Sequence, residues 1–162
     1  MIQGKWLPQG SDISEAVSIR GQVFGLGRDQ LDDESWNTVV YQDDVPAASG
    51  RLWWKDGAFH IGDIGVLSDY RGRRLGDLTL RLLLFKAQSH FAREVRLICP
   101  SSLVGFFSRL GFREDERETR ELSGQRQVSM FLPGDEINLD TCASCKKANC
   151  PSRQGPEPQA GT

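Results

Sequence analysis

Apolar and polar residues alternate over residues 2–7, ahead of Pro8 and Gly10, a pattern that predicts a first strand. Asp12 with Glu15 three residues on has capping-box spacing, and Ile13, Ala16, Val17, Val23 and Phe24 follow near the helical period. A helix over about residues 12–24 is expected, ended by Gly25 and Gly27. Residues 28–36 hold four acids and Trp36, the composition of a short second helix or an acidic loop. Residues 38–41 are β-branched and aromatic. With the Gln42-Asp43-Asp44 turn and the run 47–55 they make a hairpin, and Asp56-Gly57 signals a second one.

That second turn delivers the chain into its central stretch, His60 to His90. Ile61, Ile64, Val66 and Leu67 read as a strand, and Leu75, Leu78, Leu82 and Phe85, at three- and four-residue steps, read as a long helix. Between them sits a basic turn, Tyr70-Arg71-Gly72-Arg73-Arg74-Leu75-Gly76. Val95, Leu97 and Cys99 then mark a short strand stopped by Pro100. Ser101 or Ser102 is placed to cap a helix through Leu103, Phe106, Phe107 and Leu110, closed by Gly111. Phe112 opens another strand, Gly124 marks a turn, and residues 128–132 form the last strand. The order predicts a mixed α/β fold with a sheet of about seven strands.

At 162 residues the chain suits one domain with a full core. A net charge of -2, with arginines clustered locally, speaks against a nucleic-acid partner. No long apolar run and no signal-peptide pattern at Met1 is present, so no membrane association and a cytoplasmic setting are expected. The four cysteines then suggest free thiols or a metal before disulfides. Composition changes past Pro133, dividing the chain into a domain over 1–133, a cysteine-containing extension over 134–150, and a disordered Pro, Gly, Gln and Ser tail over 151–162.

The basic turn carries the chemistry. At a helix start, backbone N–H groups without helical partners converge on one spot, the helix dipole favours negative charge there, and three arginines add cationic donors. A phosphate-bearing ligand suits such a turn, although a solvated, Arg-rich connection would have the same composition.

In this order, the segments over residues 12–132 resemble the GNAT superfamily of N-acetyltransferases, which move an acetyl group from acetyl-CoA to an amine. Arg71, Gly72, Arg73, Arg74, Leu75 and Gly76 match both ends of that family's pyrophosphate signature. Arg74 stands at the inner glycine position, where a Cβ is accommodated if the backbone stays at negative φ. Ile64-Gly65-Val66-Leu67 resembles the family's fourth strand, splayed from the fifth, and residues 105–112 resemble its second CoA-contacting helix and the strand after it. Ile19-Arg20 with Val23-Phe24 is similar to the first helix of one GNAT branch.

The resemblance implies a mostly antiparallel sheet flanked by helices and splayed between strands 4 and 5. It also implies acetyl-CoA as co-substrate, an amine acceptor (small molecule or protein), and often a homodimer. Ile64, Val66, residues 71–76 and Phe107 become candidate CoA contacts. An aliphatic amine, with a pKa of about 10.4, arrives charged and needs a base. His60 stands where a well-studied branch places its base, with Asp63 second. The Val66 N–H is the implied oxyanion donor. Many members use a Tyr to protonate the leaving thiolate where this chain has Phe107, so water, Ser102 or Ser108 is left to do it.

Cys142, Cys145 and Cys150 have the spacing C-x2-C-x4-C, which suits zinc or iron ligation but supplies three ligands, one short of a closed structural site. Cys99 is a fourth ligand only if the tail folds back. Reduced or redox-active thiols fit the spacing as well, with Lys146 and Lys147 lowering their pKa values. Three functions follow: an acetyl-CoA-dependent N-acetyltransferase, a CoA-binding sensor that has lost turnover, or a metal- or thiol-dependent interaction protein.

Overall fold

The computed structural model describes residues 1–122 and 124–139. Seven strands form one sheet in the order β1-β2-β3-β4-β5-β7-β6, with β1 Ile2–Leu7, β2 Trp36–Gln42, β3 Val45–Lys55, β4 Ala58–Val66, β5 Glu94–Pro100, β6 Arg113–Leu122 and β7 Gln125–Pro133. All neighbours pair antiparallel except β4 with β5, which run parallel and share only the pairs Phe59↔Val95 and His60↔Arg96. The expected mixed α/β sheet, splayed between its fourth and fifth strands, is the observed one.

Two helices cover the sheet's two faces. Helix α1, Ser14–Phe24, sets Ala16 and Ile19 against Leu7 and Val39. Helix α2, Leu75–Ser89, sets Leu80, Leu83, Leu84 and Ala87 against Leu52, Phe59 and Ile61. Val39 joins the α1 side and Val40 packs with Leu75 on the other, which is why residues 38–41 read as an unbroken β-branched run: the strand is buried on both faces.

Two local expectations are corrected. The proposed capping box at Asp12 and Glu15 does not form. Asp12 Oδ1 accepts from the Ser14 amide at 2.9 Å, Glu15 binds the Tyr41 hydroxyl, and Ile13 turns into the core as an N-cap without a side-chain bond. A true capping box lies instead in the acidic segment, where Asp29 and Asp32 close a short 3-10 turn over Gln30–Asp33. Neither Ser101 nor Ser102 makes a capping hydrogen bond. A 3-10 turn, Ser101–Leu103, leads into the five-residue helix α3, Val104–Ser108.

Past Pro133 the chain continues onto the domain. Ile137 is buried in the main core, and α2 reaches it through Gln88 Nε2 to the Ile137 carbonyl, 3.4 Å, and Arg81 Nη1 to the Leu139 carbonyl, 2.5 Å. Cys142, Cys145 and Cys150 and the tail over 151–162 lie outside the described residues. Among the described residues, no helix is long and apolar enough to cross a membrane.

Candidate active site

The basic turn links β4 to α2 through a 3-10 turn, Ser68–Tyr70, and forms the wall of a cavity of about 220 Å³. Arg71, Gly72, Arg74, Leu75 and Gly76 all face it, with Val66 at the strand end. The first amides of α2 have no helical partner and open here, where the positive end of the helix dipole lies. Arg71 Nε donates to the Val66 carbonyl at 3.3 Å, which holds the turn against the end of β4.

Two residues of the turn behave differently from expectation. Arg74 does not stay at negative φ: at φ 63 it is left-handed and serves as the N-cap of α2. It does this because the chain must reverse within a few residues of Gly72, itself at φ 80, and a left-handed residue places the next amides at the helix start. Arg73 is not on the cavity wall, since its guanidinium lies over the Tyr70 ring, 5.4 Å from the centroid. Tyr70 and Asp77 also line the cavity, and Phe106 and Arg109, at a helical spacing of three, complete it from across the splay. That spacing was the signal available for them in the sequence.

Beyond their two shared pairs β4 and β5 part, and a cavity of about 190 Å³ opens between Ile61 and Ile64 on one side and Leu97 and Cys99 on the other. Phe107 lines this cavity rather than the basic turn, packed edge-on against Phe106 at 5.0 Å and Phe112 at 5.9 Å. Buried between those rings, it offers the site shape and no proton. Cys99 Sγ lies 3.8 Å from Met130 Sδ, and burial, with a lesser contribution from Glu114, pushes its thiol up to about 11. The Leu67 amide donates to the Ala47 carbonyl at 2.9 Å. Because neighbouring amides on a strand point to opposite edges, the Val66 N–H is turned toward the open edge that β5 has left.

A third cavity, of about 380 Å³, continues from the splay on the α1 face of the sheet. His60 lines it, stacked on Trp53 with centroids 5.7 Å apart and planes at 13°. The ring's Nε2 lies 3.2 Å from the Lys55 carbonyl, which only accepts, so Nε2 is assigned the hydrogen and Nδ1 the free lone pair. Burial holds the His60 pKa below its ordinary value, aided by the positive Arg96 and Lys55 and opposed by the bond to the Lys55 carbonyl. Asp63 lines the same cavity, at a bulge where its own φ is 54. His60 and Val66 are six residues apart on β4, about 20 Å at ordinary strand rise, and they line separate cavities. The Asp63–Ile64 bulge lies between them.

An unforeseen ion-pair network supports this floor. Arg20, 2% exposed, grips Asp32 through two bonds of 2.9 and 3.0 Å and reaches Asn37 Oδ1 at 2.9 Å. Arg51 bonds Asp29 at 2.7 and 3.0 Å, Asp32 at 3.3 Å and Asp63 at 2.7 Å. Burial pushes the Asp32 carboxyl up, but the Arg20 bonds, the Asp29 amide and the charges of Arg20 and Arg51 outweigh it, leaving a pKa of about 2. The sequence carried a trace of this: Arg20, four residues after Ala16, interrupts the buried face of α1 with a charge. Among the described residues, no group of three His, Cys, Asp or Glu side chains is placed to hold a metal.

Residues 26–132 match the family described as acetyltransferase (GNAT) domain. The uncharacterized N-acetyltransferase YjcF of Bacillus subtilis is 31% identical over 109 residues, covering 62% of this chain and 78% of that relative. Among solved structures, the ribosomal-protein-S18-alanine N-acetyltransferase of Escherichia coli superimposes with a TM-score of 0.67 at 18% identity, over 82% of this chain and 94% of that one. A Bacillus subtilis acetyltransferase in complex with CoA gives 0.64 at 15% identity, over 82% and 99%. A GNAT acetyltransferase from Elizabethkingia anophelis with acetyl-CoA bound gives 0.63 at 14%, over 82% and 97%. With a family match over most of its length and a fold that superimposes on those solved acetyltransferases, this chain belongs to the GNAT acetyltransferases and is an acyltransferase.

Proposed function

We propose that this enzyme transfers the acetyl group of acetyl-CoA to a primary amine. The observation that carries the reading is the succession of cavities: the turn's cavity, walled by Phe106, is neighbour to the apolar splay lined by Phe107, and the splay shares Ile61, Gly62, Asp63, Leu97 and Ile98 with the cavity on the α1 face. A long ligand with phosphates at one end and an acyl thioester at the other fits that succession. On this reading the turn residues Arg71, Gly72, Arg74, Leu75 and Gly76 hold the pyrophosphate, and the open edge of β4 at Val66 pairs with the arm that follows. Ile64 and Phe107 shape the splay around the thioester.

The reacting carbonyl then lies near the bulge at Asp63, between the two outer cavities. The amine nitrogen attacks the carbonyl carbon, the carbonyl oxygen accepts from amides on the open edge of β4, and the C–S bond breaks. His60 takes the amine's proton on Nδ1 through water in the acceptor cavity. It is favoured over Asp63 because a proton on Asp63 would break its ion pair with Arg51. The departing thiolate, with a pKa of about 8.5, leaves without a dedicated acid and is protonated by solvent.

Isothermal titration with acetyl-CoA and CoA, followed by thiol release against mixed amines, tests the reading. Binding with amine-dependent release supports it; binding without release removes the transfer step, and no binding removes the donor.

A further inference from the structure

The geometry of the third cavity points to the acceptor class: we propose an organic ammonium that carries a flat apolar body and no carboxylate beside the amine. This rests on the acetyl-transfer reading for its reaction, while the binding it describes stands on the cavity alone.

The flat surface is built into the sheet. Trp53 on β3 and His60 on β4 are direct cross-strand partners on the α1 face, and their rings stack. The indole lies over Gly62, where an added Cβ would come within 2.8 Å of Trp53 Cη2, so the absence of a side chain at 62 is what lets the ring lie down. Arg51 sits 5.6 Å from the Trp53 centroid and anchors the indole. Leu31 faces the same space, and Ile98, 72% exposed, stands at its lip on β5. A planar hydrocarbon body fits this shelf by stacking and area burial.

The charges around the shelf select against a carboxylate. Two guanidiniums face the cavity, and each is already committed to three carboxylates: Arg51 to Asp29, Asp32 and Asp63, and Arg96 to Glu94, Asp115 and Glu118. The Nε of Arg51, which has no hydrogen-bond partner, is sealed from solvent. A ligand carboxylate would meet guanidiniums already saturated by acids and would have to displace one of them. An ammonium, by contrast, meets the carboxylates of Asp63 and Glu118 on the cavity wall, 21% and 59% exposed, and the face of an indole. Lys55 and Arg117 lie near His60 and Asp115, outside the cavity wall, and temper the negative potential without offering a partner inside.

The experiment compares 2-phenylethylamine, L-phenylalanine and spermidine as acceptors at fixed acetyl-CoA, and measures 2-phenylethylamine binding to the CoA-loaded protein directly. L-phenylalanine adds only a carboxylate to the first compound, and spermidine has charge without a flat body. The expected result is a kcat/KM for 2-phenylethylamine on the order of 100-fold above L-phenylalanine, the scale of leaving one buried polar group unsatisfied. Spermidine is expected to be slower as well. Trp53→Ala is expected to weaken 2-phenylethylamine about tenfold while CoA affinity is unchanged, and Trp53→Phe to retain most of the wild-type affinity. Equal or better use of L-phenylalanine or spermidine, or no change in Trp53→Ala, overturns the acceptor class and leaves acetyl transfer standing. If no amine releases thiol, Trp53-dependent binding of 2-phenylethylamine supports the acceptor class while the transfer reading falls. Absence of that binding overturns the acceptor class.

Discussion

Arg51 Nη2 lies 2.7 Å from the Asp63 carboxylate, joining the middle of β3 to the residue at which β4 bulges. Asp63 holds a left-handed φ of 54, a conformation that costs a residue with a side chain on the order of 1–2 kcal/mol. The ion pair offsets that cost, and the bulge falls just past His60, the last residue of β4 to pair with β5. Arg51 in turn holds Asp29 and Asp32, and Asp32 holds Arg20, so one chain of charges runs from α1 to the point where the strands part.

The first prediction concerns the middle of that chain. The folded Asp32 pKa of about 2 lies below the ordinary 3.8, so its stabilisation is fully present above pH 4 and is lost as pH falls toward 2. A shift of that size corresponds to about 2 kcal/mol. Asp32→Asn should flatten the stability curve over this range and, by leaving Arg20 short of a carboxylate, cost about 3–5 kcal/mol at pH 7. Urea midpoints between pH 2 and 7 for both proteins check it; a mutant as stable as wild type at pH 7 contradicts the network's role.

If His60 is the proposed base, it sets the acid limb of the rate profile. A base works when neutral, and burial lowers the pKa of this imidazole, so the acid limb of kcat/KM should lie on the acid side of an ordinary imidazole's. His60→Ala should lower kcat by about 10²–10⁴-fold and abolish that limb, with CoA affinity retained. Superimposable pH profiles would remove His60 as the base.

At the basic turn, a Cβ on Gly76 would meet only Val66 Cγ2, at an ordinary 3.6 Å, so Gly76→Glu leaves the fold intact while placing a carboxylate beside the proposed phosphate site. CoA binding should weaken by at least about tenfold, the scale of one like-charge contact near a protein surface. Arg71→Ala should weaken it too, by removing a cation and the bond that holds the turn to Val66. Unchanged CoA affinity in Gly76→Glu, read by calorimetry, would dismiss the phosphate assignment.

Arg74→Gly should move two properties in opposite directions. Glycine accepts φ 63 without strain, so thermal stability should rise by roughly 1 kcal/mol, net of the entropy glycine adds to the unfolded chain. CoA affinity should fall with the lost cation. A melting curve and a titration on one preparation read both, and a drop in stability would show that the Arg74 side chain contributes more to the fold than its backbone conformation costs.

Local pattern was enough for the elements and for the family. The 3.6-residue spacing of Leu75, Leu78 and Leu82, the Asp56-Gly57 turn and the spacing of residues 71–76 are properties of neighbouring residues, and secondary structure and the helix-start anion site depend on neighbours. Where the sequence misled, the deciding contact was distant or a side-chain direction was involved. Glu15 left its helix cap for Tyr41 on β2, and Arg73 turned back onto Tyr70, off the cavity wall.

By itself, then, the sequence determined which segments are strands and helices, that a basic turn starts the long helix, and which family this succession belongs to. Only the tertiary structure decided which charges are spent and which remain for a ligand. Arg20, Asp29, Asp32, Arg51 and Asp63 are separated by up to 43 residues, yet they close one network because α1, the acidic turn, β3 and β4 meet on one face of the sheet. Pairing across such separations depends on register and bulge position, which arise when strands pack and leave no local period in the chain.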